Sequence, residues 1–269
     1  MRLMNPRRAI ILAIVGTGPA IAPVSADIVG FPIPGWSVNR WDSASASPVN
    51  PPSSITLTTG TTGQSRSAFH ATRQSITQFE AGFTYTFSGA ASSRMGAAFV
   101  LHNRPAGAEA VAAASISGVP TNLGYSDFWG TFNGTSAAIT LESGYLSAGS
   151  SASGFYTGGA FGGGSSNTMP MAFSSGNAID VTITYNGFLL GMTARDTVTG
   201  SLYTAPLVAV DLQTVLGSNL AYVGFTGATG NNTGTSQTFS NFYFTSVPVP
   251  GSAAALGIGL LATSPRRRR

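Results

Sequence analysis

Hydrophobic residues in this chain recur with a period of two, segment after segment, and no other feature constrains the fold as strongly. Phe79, Ala81, Phe83, Tyr85 and Phe87 fall on one side of an alternation whose other side holds Glu80, Thr84 and Thr86. Successive side chains of a β-strand point to opposite faces, so this spacing reads as a half-buried strand. Met95, Ala97, Phe99 and Leu101 repeat it, as do Ala221, Val223 and Phe225, and Phe242 and Phe244 close the series. Ile179, Val181, Ile183 and Tyr185 run into Asn186-Gly187, after which Phe188, Leu190 and Met192 continue. Asn-Gly readily takes the positive φ values that tight hairpin turns require, so a hairpin is predicted here. Thr199-Gly200 marks a second turn. Helical periodicity is nearly absent: residues 106–114 are Ala-rich but short. Residues 158–167 form a Gly/Ser-rich loop without the Asp of a calcium-binding glycine repeat. The prediction is one all-β sandwich over residues 27–246.

Charge narrows the class of partner. The 13 basic residues are all Arg, against nine acids, for a formal net charge of +4. Seven of those Arg lie at the ends: Arg2, Arg7 and Arg8, and four from Arg266 to the C-terminus. Setting them aside leaves six Arg against nine acids, a balance of −3. The body therefore lacks the electrostatic footprint of a nucleic-acid binder. With no Cys, disulfides, thiolate metal sites and a Cys nucleophile are excluded.

Both ends read as addresses. Residues 1–8 are basic, residues 9–15 apolar, and Pro19 and Pro23 precede Val24-Ser25-Ala26. That order is a secretory signal peptide with cleavage expected after Ala26. A short membrane anchor is the other reading, but the apolar run falls well below the roughly 20 residues of a bilayer span. At the other end, residues 247–269 comprise Val247-Pro248-Val249-Pro250, an apolar stretch and the Arg cluster. This order resembles the PEP-CTERM sorting signal of bacteria that export exopolysaccharide. The resemblance implies recognition around Pro248 and Pro250 by an exosortase-like protease, with the cluster from Arg266 held at the cytoplasmic face. Val249 stands where that motif has Glu, and Ser264-Pro265 interrupts the tail. A permanent anchor or a basic tail is the alternative. Membrane contact is expected only through this segment, and the destination is the cell surface or extracellular matrix.

The order of the body segments carries a second resemblance. Ser67-Ala68-Phe69 and the strand ending Phe83-Thr84-Tyr85-Thr86-Phe87 are followed by Gly96-Ala97-Ala98-Phe99-Val100-Leu101, Leu123-Gly124-Tyr125 and Ala137-Ala138-Ile139-Thr140-Leu141-Glu142. Then come Ala221-Tyr222-Val223-Gly224-Phe225-Thr226-Gly227-Ala228-Thr229-Gly230 and Phe239-Ser240-Asn241-Phe242-Tyr243-Phe244. This series resembles the L-type (legume-like) lectin domain over residues 29–246. It implies a concanavalin A-like jelly roll of two antiparallel sheets, with a sugar site on loops at one end.

The family's polar residues are largely replaced. Met95 stands where the family has the Asp that accepts from sugar hydroxyls. Of the metal-binding strand only Glu142 keeps an acid, with Thr140, Leu141 and Leu146 at the other motif positions. A hard cation wants six or more oxygens, so no metal and no cofactor is expected, with calcium as the alternative although the family's metal ligands are largely missing. His70 and His102 lie upstream of that strand and read as strand-end or surface residues. A sugar can still be held by aromatic stacking and amides. Tyr125, Asp127 and Trp129 supply two rings and an acid in one loop, and Asn231 and Asn232 occupy the loop that sets specificity in the family. Phe128 and Trp129 read more readily as sandwich core, and Asn231-Asn232 equally as a hairpin turn.

The leading expectation is a secreted or surface-associated protein that binds a polysaccharide or glycan, with a structural matrix protein lacking sugar binding as the alternative. No enzyme is expected: glycosidases need paired carboxylates, and Glu142 stands alone. Neither a nucleophile elbow nor a phosphate loop is present.

Overall fold

The computed structural model describes residues 27–32, 34–41, 53–90, 95–113, 123–125, 131–144, 150–160, 164–230 and 234–247. The predicted signal peptide and sorting segment, with Ala26, Pro248, Pro250 and Arg266, lie outside them. The chain opens with β1 (Ile28–Val29), β2 (Trp36–Arg40), β3 (Ser54–Thr59), β4 (Ser65–His70), β5 (Gln74–Ser75) and β6 (Phe79–Ser88). β7 (Met95–His102) and β8 (Gly134–Ser143) follow, separated by an excursion holding one 3-10 turn, Gly107–Glu109. Next come β9 (Ser151–Ser153), β10 (Phe155–Gly158), β11 (Ser166–Asn167), β12 (Ala178–Tyr185), β13 (Leu189–Asp196), β14 (Leu202–Thr204) and β15 (Val208–Ala209). A short helix, α1 (Leu212–Leu216), precedes β16 (Leu220–Ala228) and β17 (Ser236–Ser246).

These strands form two antiparallel sheets. The first runs β1-β17-β6-β12-β13-β14, with β3 also on β17 and β15 on β13. The second runs β11-β9-β8-β7-β16-β4-β2, with β10 also on β8 and β5 on β16. Consecutive strands β6 and β7 belong to different sheets, so the sandwich is closed by non-local pairings. The predicted all-β fold of two antiparallel sheets is what the chain adopts.

Aromatic rings join the layers. Phe225 of the second sheet stacks on Phe239 of the first at 4.1 Å between centroids, and meets Phe83 edge-on at 5.0 Å. Such pairs are worth about 0.5–1.5 kcal/mol each beyond the area they bury. The Phe79-to-Phe87 alternation buries every member predicted to face inward.

Three local readings need correction. Phe188 is 64% exposed, because the hairpin turn is Asn186-Gly187-Phe188 rather than two residues. The Asn186 side chain accepts from the N–H groups of Phe188 at 3.0 Å and Leu189 at 2.7 Å, closing that longer turn. Strand β7 is buried at all eight positions, not at alternate ones. Its second face (Ala98, Val100) joins a second core with Phe69, Ala138, Tyr125 and Phe132, under the excursion between β7 and β8. His102 belongs to that buried face too, so only its strand-end position was read correctly.

Candidate functional site

The register fixes which loops share an end. Met95 pairs with Ser143, Ala228 with Gly96 and Ser65, and Ser236 with Ser88 and Thr59. The connections 60–64, 89–94, 144–150 and 229–235 therefore all leave from one end of the sandwich.

Two of these connections are clasped by a buried polar network. Gln64, Thr229, Thr235 and Gln237 are each fully buried. Gln64 N–H donates to Thr229 Oγ1 at 2.9 Å, Thr229 N–H to the Gln64 carbonyl at 3.0 Å, and Gly63 N–H to the Gly230 carbonyl at 3.0 Å. Thr58 Oγ1 donates to the Thr235 carbonyl at 2.6 Å, and Gln237 Nε2 to the Ala228 carbonyl at 2.9 Å. Gly234 permits the closest approach: a Cβ there would lie 1.9 Å from the Gly60 oxygen. Buried polar groups paired in this way hold one geometry, because breaking any member leaves an unsatisfied partner. The network thus fixes Gly230 and Gly234, between which Asn231 and Asn232 stand outside the described residues. Nothing in the periodicity pointed to these amides and hydroxyls. They break the apolar alternation, and that was the available signal.

A second anchor lies on β16, the strand that leads into this clasp. The turn at Leu123 and Gly124 has φ values of 57° and 69°. Thr226 Oγ1 donates to the Leu123 carbonyl at 2.9 Å, and Gly124 lies so close to Gly227 that a Cβ would come within 3.0 Å of its oxygen. Tyr125 follows, and it is not the exposed platform predicted from the sequence. It is fully buried and stacked on Phe132 at 5.5 Å. Its hydroxyl meets Ser136 Oγ at 2.8 Å and accepts from Gly159 N–H at 3.0 Å. Burial pushes that hydroxyl's pKa up, and the two hydrogen bonds oppose the shift. Tyr125 therefore ties its own turn to β8 and to the end of β10. Asp127, Phe128 and Trp129 lie outside the described residues.

Glu142 is also buried, opposite Gly96 on one side and Ala152 on the other. Its Oε1 accepts from Thr140 Oγ1 at 2.7 Å and from Ser165 Oγ. Thr140 Oγ1 in turn accepts from Gly154 N–H at 2.9 Å, and Ser165 Oγ meets the Tyr156 hydroxyl at 2.6 Å. A carboxylate committed to neighbouring hydroxyls, with buried Met95 and Ser143 beside it at the strand ends, does not match the oxygen-rich shell of calcium. Among the described residues no group of three His, Asp or Glu side chains could hold a metal. Gly96 has φ +142°, and a Cβ there would lie 2.0 Å from the Leu141 oxygen, so the backbones of β7 and β8 meet where only glycine fits.

The two histidines part company. His70, at the end of β4, is half-buried, with Nδ1 2.9 Å from the Thr72 carbonyl. His102 is fully buried between Phe69, Phe132 and Tyr222, and its Nδ1 accepts from Arg104 N–H at 3.2 Å.

No protein-family model and no curated protein matches the sequence. Solved structures do match the fold. A seed lectin of Lotus tetragonolobus is 19% identical, over 84% of this chain and 100% of its own, with a TM-score of 0.63. The metal-free form of lectin I-B4 from Griffonia simplicifolia is 17% identical, over 83% of this chain and 100% of its own, also with a TM-score of 0.63. Lectin UEA-II complexed with galactose is 16% identical, over 83% and 98%, with a TM-score of 0.61. On this evidence the chain has the two-sheet jelly-roll fold of the legume lectins.

Proposed function

We propose that this chain is an exported, surface-associated carbohydrate-recognition module that binds a neutral polysaccharide, such as matrix exopolysaccharide, without a metal. One observation carries the reading: both candidate segments are anchored on the single stretch from Thr226 to Gly230, at the end of β16 and just beyond it. Thr226 and Gly227 hold the turn before Asp127 and Trp129, and the clasp around Thr229 and Gly230 holds the start of Asn231-Asn232. Trp129 stacks on the C–H face of a sugar ring, Asp127 accepts from a hydroxyl, and the two Asn amides each offer a donor and an acceptor. Tyr125 is a positioning residue. The galactose in the lectin UEA-II structure supports a saccharide ligand on this fold. The test is a glycan array probed with wild type, Asn231→Ala and Trp129→Ala. Binding lost in both variants supports the site, and binding unchanged in both overturns it.

A second reading, a matrix protein that keeps the sandwich but binds no sugar, draws on buried Met95 and on Glu142, buried and bonded to Thr140 and Ser165. It requires that no glycan on the array be retained.

The export reading adds an orientation. β17 starts at the loop end, and its 11 residues extend roughly 35 Å at about 3.3 Å per residue. Val247 therefore leaves from the opposite end, and pairing of Ile28 with Phe244 puts Asp27 beside it. A tail sorted at Pro248 and Pro250, with its Arg cluster from Arg266 at the inner face, would present the loops away from the membrane. The intact mass of the exported protein tests both processing events. Loss of residues 1–26 and of the terminal Arg is expected, and their retention contradicts this part of the reading.

A further inference from the structure

Core-packed residues stay half-buried at one place in the sandwich. Phe155 of β10, Tyr203 of β14, Val208 of β15 and the intervening Ala205 all pack against the main core yet remain partly exposed. They line a cavity of about 200 Å³ with buried Ile139, Leu190 and Met192. The reason is local. β14 and β15 are only three and two residues long, and the link between them is exposed, Leu207 by 67%. The first sheet therefore ends before it covers the β8–β10 edge of the second. The cavity lies alongside the middle of β8, away from the Ser143 end where the loops leave.

An unfilled apolar cavity is destabilising, because its lining atoms lack contacts that a filled core would supply. Among the described residues no Asp, Glu, Arg or His contributes to this lining, so a charged ligand would lose its hydration without compensation. The polar groups on the wall are the hydroxyls of Ser153, Ser166 and Tyr203, and Ser153 Oγ lies 3.8 Å from the Met192 sulfur, a weak acceptor.

We propose that this cavity binds a neutral, single-ring aromatic alcohol of phenol size. Its ring packs on Phe155, Tyr203 and the Met192 thioether, and its hydroxyl meets Ser153. An apolar cavity of about 150 Å³ accepts benzene, so the larger space here leaves room for one substituent. Two aromatic walls and a polarisable sulfur favour a ring over an alkyl chain. This proposal is independent of the carbohydrate site.

The test is a titration of exported protein carrying ¹³C-methyl methionine with phenol, toluene, n-hexanol and glucose. Phenol should shift the Met192 resonance saturably and leave buried Met95 and Met171 in place, while glucose moves none of them. Ala205→Phe fills the mouth and should weaken phenol at least about tenfold. Ser153→Ala keeps the cavity and should bring phenol down to the affinity of toluene. No saturable Met192 shift, or an unchanged one in Ala205→Phe, overturns the proposal. A response to n-hexanol without one to phenol overturns the ring assignment, and unchanged phenol affinity in Ser153→Ala overturns the hydroxyl's placement.

Discussion

Acidification from pH 7 to pH 5 should cost this protein about 2 kcal/mol of stability, mostly through His102. Burial among Phe69, Phe132 and Tyr222, with a smaller contribution from the charge of Arg104, holds its imidazole pKa down at about 3, against 6.5 in the unfolded chain. The folded state therefore binds the neutral ring, whose Nδ1 is already committed to Arg104 N–H. That preference is fully present above pH 6.5 and is lost progressively as pH falls towards 3, because only the unfolded chain takes up the proton. At ~1.4 kcal/mol for each pH unit across that window, the loss is about 2 kcal/mol at pH 5 and about 4 kcal/mol at pH 3. Asp196 does not blur the window. Burial opposes its ionisation, but hydrogen bonds from Asn177, Thr199 and Val198 outweigh that and hold it at about 2, so it contributes only below about pH 4. Urea unfolding at pH 7, 6 and 5 measures the slope. His102→Asn keeps an oxygen for Arg104 N–H and does not titrate, so its stability should stay flat across this window. Constant wild-type stability between pH 7 and 5, or the same decline in His102→Asn, would refute the reasoning.

Two further substitutions probe the frame. Gly96→Ala should cost more than about 3 kcal/mol, because its Cβ would meet the Leu141 carbonyl at 2.0 Å in a left-handed backbone. Urea or thermal melts report it, and a near-neutral result would mean that β7 and β8 can separate. Tyr125→Phe removes the hydroxyl shared by Ser136 and Gly159 and should cost about 1–3 kcal/mol. The same melts report it, and an unchanged midpoint would mean that these two hydrogen bonds contribute nothing to the fold.

The layered fold was legible because each strand with one solvated face repeats with period two, as Phe79 to Phe87 does. What escaped depended on partners distant in the chain. β7 reads as one-sided until the excursion after it is seen to cover Ala98 and Val100. In β17, Asn241 takes φ +52° at a break in register between Ser240 and Tyr243, so Phe239 and Phe242 both enter the core although their spacing is odd. Strict alternation cannot foresee an inserted residue. The α1 helix is too short for periodicity, and its signal was in its caps. Asp211 accepts from Thr214 N–H at 3.0 Å, and Gly217 closes the other end with φ +66°. Tyr125 looked like a loop aromatic because its partners, Ser136 and Gly159, are 11 and 34 residues away. The clasp of Gln64, Thr229 and Gln237 joins positions far apart in the chain, so their breaks in the apolar alternation did not show that they were partners.

Calorimetric titration of the exported protein with neutral exopolysaccharide, run once with calcium and once with a chelator, tests the central claim most directly. Saturable binding of equal affinity in both runs is the expected result, because buried Met95 and the hydroxyl-bonded Glu142 leave recognition to rings and amides. Binding that appears only with calcium, or none in either run, would contradict it.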